Sequence, residues 1–143
     1  MKIAVIPNLD KRDADTYTRE ILAVLQENGA ETLMHEKHRG QYEHVTFCKN
    51  HAALAESCDL IVAVGGDGTI IHTAKHASVA GKPILGVNLG RLGFLAGVEK
   101  DELHKLKALF TGDYRVRQLG YSSSINNLTL VLATVVTGYL ANV

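Results

Sequence analysis

A chain of 143 residues, 46% apolar but only 6% aromatic, has the material for one domain cored by small aliphatic side chains. Fifteen basic side chains cancel fifteen acidic ones, so no global field draws in nucleic acid or an anionic membrane, and any bound anion must be held locally. The two cysteines, Cys48 and Cys58, make neither a disulfide framework nor a C-x-x-C pair, and the apolar run at Met1–Pro7 is too short for a signal peptide, so a reduced, cytoplasmic protein is expected.

In chain order, Ile3–Ile6 is an apolar run stopped by Pro7-Asn8, which suits a strand buried on both faces. Tyr17, Ile21, Leu22, Val24 and Leu25 give one face of a helix over Asp13–Asn28, ended by Gly29. Glu31–Met34 suits a strand, and His35–Gln41, which contains Lys37-His38-Arg39, an exposed polar loop. A strand at His44–Phe47 and a helix at Asn50–Ser57 are expected next. Asp59–Val64 is the strongest buried-strand signal in the chain. A helix from Thr69 to Ala80 ends at Gly81; a strand follows over Pro83–Asn88 and an amphipathic helix over Lys100–Phe110. Strands alternating with helices imply right-handed crossovers, hence an α/β domain with a parallel, doubly wound sheet covered by helices on both faces. After Arg117 no charged side chain follows. Leu128–Val143 is shorter than the roughly 20 apolar residues of a membrane helix and is interrupted by threonines, so strand structure and no membrane partner are expected.

Chemistry concentrates where the Leu60–Val64 strand runs into Gly65-Gly66-Asp67-Gly68-Thr69. Ligands of open α/β sheets gather at the carboxyl ends of the strands. Glycines allow close backbone approach, and the helix that follows turns its free amides and positive dipole end toward the same space, which suits a phosphate. A carboxylate there would repel phosphate unless it accepts a hydroxyl proton or works with a metal ion. The same residues also fit a plain helix N-cap on a glycine turn. Neither G-x-G-x-x-G nor G-x-x-x-x-G-K-[ST] is present. A second bend, Asn88-Leu89-Gly90-Arg91-Leu92-Gly93-Phe94-Leu95, follows the next strand and offers an amide and a ring, as an adenine edge and face require. It also fits a glycine-rich loop that feeds Phe94 and Leu95 into the core.

Together the two bends resemble the NAD kinase family, in which G-G-D-G-T after a buried strand is followed by an N-x-G-x-L-G-F-L loop. The resemblance covers residues 1 to 119. Diacylglycerol-type lipid kinases and phosphofructokinases share versions of the first bend, but lipid kinases carry a P-x-G-T-x-N-D-like loop in place of the second. The resemblance implies phosphoryl transfer from ATP, or in some members polyphosphate, to the 2′-hydroxyl of the adenosine ribose of NAD, giving NADP, with Mg²⁺ accompanying the donor. By position, Asp67 matches the proton acceptor and Gly68 its NAD-contacting neighbour. Asn88 and Phe94 match the lining of the NAD pocket, Ile71 an apolar wall and His72 a phosphate contact. Gly65, Gly66, Thr69, Gly90, Arg91 and Leu95 complete the expected binding set. NAD and ATP are the expected partners, and a homo-oligomer the expected assembly.

The chain departs from the family at Ala96-Gly97, where a small residue and an acid are usual, and it lacks the N-N-E and T-P-T-G-S-T-A-Y segments of the second domain. Residues 1–119 are thus expected to form the nucleotide-binding domain and 120–143 an atypical tail. The rivals to a kinase are a non-catalytic nucleotide-binding module and a lipid-kinase-like relative. His72 and His76 lie four apart, but no third ligand accompanies them, so no metal site of the protein's own is expected. Asn127-Leu128-Thr129 is a formal glycosylation sequon without other secretory features.

Overall fold

The computed structural model describes residues 1–91, 95–121 and 128–135. Five strands, β1 (Lys2–Pro7), β2 (Glu31–His35), β3 (Val45–Cys48), β4 (Leu60–Gly65) and β5 (Ile84–Asn88), pair in parallel in the order β3-β2-β1-β4-β5. The helices are α1 (Ala14–Glu27), α2 (His51–Ser57), α3 (Asp67–Ala80) and α4 (Ala108–Thr111). A short β6 (Val98–Glu99) pairs with β5. β7 (Tyr114–Tyr121) and β8 (Leu128–Val135) form an antiparallel pair that joins the sheet where β8 runs parallel to β5, Leu132 opposite Ile84.

Alternation along the strands divides the core into two layers. Ile3, Val5, Val62, Val64, Leu85 and Val87 face α1 and the segment 103–111, with Ile21, Leu25, Leu106 and Leu109 closing that side. Ala4, Leu33, Ile61, Ala63 and Ile84 face α2 and α3, where Leu54, Ile70, Ala74 and Ala77 pack. A parallel sheet covered by helices buries its central strands on both faces, and every residue of β4 is buried. This is the doubly wound sheet expected from the sequence. Gly81 ends α3 in the left-handed conformation (φ 66°), and Lys82 N–H closes on Ala77 O at 2.9 Å.

Three local expectations are corrected or refined. Residues 100–110 are not one helix: a 3-10 turn at Leu103–Lys107 leads into α4, with Leu103, Leu106 and Leu109 buried. Their spacing of three satisfies a 3-10 turn as well as an α-helix. His35–Gln41 is mostly exposed, as expected, but it is not wholly irregular. It contains a 3-10 turn at Glu36–His38, with His38 only 5% exposed and its ring edge-on to buried Tyr42. Arg39 lies over the Phe47 ring at 5.1 Å, while Lys37 and Arg39 themselves stay exposed. Finally, α3 begins at Asp67, with Gly66 in the cap position, which sets aside the reading of Asp67 as an N-cap. The strand expected in the tail is present as β8, and 136–143 and Asn127 lie outside the described residues. Among the described residues no helix is long and apolar enough to cross a membrane.

Candidate functional site

From β1 the chain progresses outward through β2 and β3; β4 then returns to the other side of β1. Strand order therefore reverses between β1 and β4, and a crevice is expected at their carboxyl ends. An open cleft of about 260 Å³ lies there. Its floor is Ile6, Pro7 and Asn8 at the end of β1, and one wall is Gly68, Thr69, His72 and Thr73 of α3. Lys37 and His51 supply the other wall. Asn8 N–H donates to Val64 O at 2.8 Å, which ties the two strand ends together. Across the cleft, the Asn8 amide Nδ2 donates to Thr69 Oγ1 at 3.4 Å.

The glycines of the first bend have different surroundings. A Cβ on Gly65 would collide with the Thr69 side chain, its Oγ1 foremost, so this glycine is required by packing. Gly66 and Gly68 have open space where a Cβ would stand, and neither has a positive φ. The fold itself therefore does not demand glycine at these two positions. Gly86 on β5, which the sequence reading passed over, allows the closest approach of all: a Cβ there would strike Ile70 Cδ1 and come within 3.1 Å of Ala96 Cα.

The second bend is drawn onto the first. Leu89 N–H donates to Gly65 O at 2.7 Å, and Leu95 N–H donates to the Asp67 carboxylate, Oδ1, at 3.1 Å. Buried Asn88 holds the bend from inside: its Nδ2 donates to Arg91 O at 2.9 Å and to Glu99 Oε2 at 3.0 Å, and its Oδ1 accepts from Gly90 N–H at 3.1 Å. That leaves little of the amide for a base edge. Gly90 and Arg91 are exposed, Leu95 half-buried, and Ile71 stands 40% exposed on α3. Phe94 lies outside the described residues.

The structure thus gathers Asp67, Gly68, Thr69, His72 and Leu95 at one rim of the sheet. Six residues that line the cleft stand outside the set expected from the sequence: Ile6, Pro7, Asn8, Lys37, His51 and Thr73. Asn8 was legible as the residue directly after a buried strand. Lys37 and His51 were not, because their arrival depends on the 3-10 turn after β2 and on the start of α2. Two further imidazoles pack against His51. The His51 ring lies 4.8 Å from that of His35 and 5.3 Å from that of His76, stacked on the latter at 17°. Burial, and then the neighbouring His35, His76, Lys37 and His72, push the His51 pKa down from 6.5 to about 4. Among the described residues no group of three or more His, Cys, Asp or Glu side chains could hold a metal ion.

Comparison with known proteins places this geometry. Residues 3–114 match the family model described as the ATP-NAD kinase N-terminal domain. The chain is 35% identical over 104 residues to an NAD kinase of Ruminiclostridium cellulolyticum, covering 73% of this chain and 36% of that protein. It is 32% identical over 118 residues to an NAD kinase of Caldanaerobacter subterraneus, covering 82% of this chain and 42% of that protein. The chain therefore spans about two fifths of the length of these relatives. The fold is shared with a yeast NADH kinase solved in complex with NADH, at a TM-score of 0.66 and 18% identity over 93% of this chain and 46% of that one. On its fold and on the match across residues 3–114, the chain belongs to the ATP-NAD kinase N-terminal domain family.

Proposed function

We propose that this chain is the nucleotide-binding part of an NAD kinase, in which Asp67 accepts the proton of the 2′-hydroxyl on the adenosine ribose of NAD as a phosphoryl group arrives from ATP or polyphosphate. The observation that carries the reading is the hydrogen bond from Leu95 N–H to Asp67 Oδ1. It ties the one acid of the first bend to the second, so that a dinucleotide held by both would have a carboxylate beside its sugar. Gly66 and Gly68 support it: the open space before them is what a phosphate or ribose would need in order to approach the first turn of α3. The relatives named NAD kinase and the NADH in the yeast enzyme favour NAD or NADH as the acceptor.

In this reading Gly65 and Asn88 shape the bends, while Gly66, Gly68, Thr69 and His72 face the ligand. Ile71, Gly90, Arg91, Phe94 and Leu95 surround the nucleotide. Mg²⁺ would be carried by the donor's phosphate oxygens; bound so, it neutralises charge on the donor. Residues 1–119 are the nucleotide-binding unit, and a homo-oligomer in the cytoplasm is the proposed setting.

Incubation with NAD, ATP and Mg²⁺ should yield NADP, and Asp67→Asn should lower the rate by roughly 10²–10⁴-fold, the usual contribution of a positioned base. Asparagine keeps an oxygen for Leu95 N–H, so the bend survives the change. Undiminished turnover in that variant would remove Asp67 from the chemistry.

A further inference from the structure

The second bend is closed at its base by one pair of side chains. Asn88 ends β5 and Glu99 ends β6, and the two are partners where these strands pair in parallel. Glu99 Oε2 accepts from the Asn88 amide Nδ2 at 3.0 Å, and the same nitrogen donates to Arg91 O at 2.9 Å. Asn88 is buried and Glu99 half-buried, so an amide donor left there without its acceptor is costly. Among the described residues Glu99 makes no ion pair; its side-chain partner is this amide. Its backbone is fixed as well. Gly97 N–H donates to Gly86 O at 2.9 Å, which pins the approach to β6 against β5, and Glu102 N–H donates to Glu99 O at 2.9 Å.

The pair settles which way round the Asn88 amide lies. A carboxylate only accepts, so Nδ2 must face Glu99 and Arg91 O, and Oδ1 is left to take Gly90 N–H at 3.1 Å. Turned over, the amide would set oxygen against oxygen at Glu99 and Arg91, and N–H against N–H at Gly90. Further along the same bend, Leu95 N–H meets the Asp67 carboxylate at 3.1 Å.

We infer that Glu99 is a positioning residue: by fixing the Asn88 amide it sets the second bend, and through the bend it brings Leu95 N–H to Asp67. The assignment rests on the proposed function, in which Asp67 takes the ribose proton, and gives that carboxylate a remote support outside both bends.

The test compares Glu99→Ala with Glu99→Gln in the full chain. Glutamine keeps an oxygen for Asn88 Nδ2, whereas alanine does not. Hydrogen exchange of the Leu95 amide is read without nucleotide, and NAD affinity is read by calorimetry. A hydrogen bond to a charged group amounts to roughly tenfold or more in an equilibrium. Glu99→Ala should therefore speed Leu95 exchange and weaken NAD binding by roughly tenfold each. Glu99→Gln should stay within about threefold of the unaltered chain in both, since a neutral acceptor is weaker but still present. Partial misfolding would lower the binding stoichiometry and leave the affinity of the folded fraction, so rescue by glutamine with a changed affinity belongs to positioning. If Glu99→Ala does not melt cooperatively, Glu99→Ser, whose hydroxyl is too short to reach Asn88, takes its place. Unchanged Leu95 exchange in the shortened variant, equal losses in the shortened and glutamine variants, or weaker NAD binding with Leu95 still protected would overturn the inference. An unaltered chain that binds no NAD would count against the kinase reading alone, and Leu95 exchange would then decide the role of Glu99.

Discussion

Gly65, Gly66 and Gly68 are alike in sequence and differ in surroundings, and substitution should separate them. Alanine at Gly65 meets the Thr69 side chain and should cost roughly 1–3 kcal/mol, as overpacking of a close contact does. Alanine at Gly68 meets nothing within 4 Å and sits in the first turn of α3. There the exchange should be neutral or stabilise by up to about 1 kcal/mol, because glycine is the poorer helix former. If that space belongs to a ligand, Gly68→Ala should nevertheless weaken nucleotide binding. Thermal melting and NAD calorimetry on the two variants decide this, and a Gly68→Ala protein with unchanged NAD affinity would count against a ligand at that position. Residue chemistry alone left open whether these glycines were turn formers or part of a phosphate cradle. The distinction depends on what stands opposite each one, which is a tertiary fact. Asn88 carries the same lesson: an amide suited to a base edge is engaged by Arg91 and Gly90 within its own bend and by Glu99 of β6.

At the scale of elements, β5 and α3 approach so closely at Gly86 that a methyl group there would strike Ile70 and crowd Ala96. Gly86→Ala should destabilise the domain by roughly 1–3 kcal/mol. It should also push the Ala96 segment, and with it Leu95, away from Asp67. Denaturant melts and NAD titration of this variant should therefore change together; a stable variant with lower NAD affinity would show that only the loop had moved. The strands β1, β4 and β5 and the helix α3 were legible because their buried runs and the Gly81 stop are strong local signals. The segment after residue 100 was legible only as amphipathic, since leucines three apart serve a 3-10 turn equally well. The turn at Glu36–His38 was hidden because its polar composition resembles a loop, whereas the burial of His38 is set by Tyr42.

Across the whole molecule, two histidines are held neutral by their surroundings. Burial lowers the pKa of His38, and burial with neighbouring bases lowers that of His51 to about 4. A histidine depressed in the folded state takes up protons more readily when unfolded, so its contribution to stability is complete above about 6.5 and is lost as pH falls toward about 4. The melting temperature should accordingly fall across that window, and His51→Gln should reduce the fall. A flat profile would mean that His51 carries no such penalty. The order β3-β2-β1-β4-β5 was not readable from local sequence, because strand order is fixed by crossovers between distant segments. With it came the crevice at β1 and β4, which brings Asn8, Lys37 and His51 into the site. The sheet's type and the shared rim of the two bends were readable, since parallel strands all present their carboxyl ends to one side.

The central claim, that Asp67 faces the ribose hydroxyl of a dinucleotide, is tested most directly by comparing NAD with 2′-deoxy-NAD in calorimetry, for the unaltered chain and for Asp67→Ala. A hydrogen bond to a charged group contributes about 1.5–3 kcal/mol, so the unaltered chain should prefer NAD by at least about tenfold. The preference should largely vanish in Asp67→Ala, even if that change weakens both ligands by freeing Leu95. Equal affinities for the two dinucleotides in the unaltered chain, or a preference that persists without the carboxylate, would contradict the account.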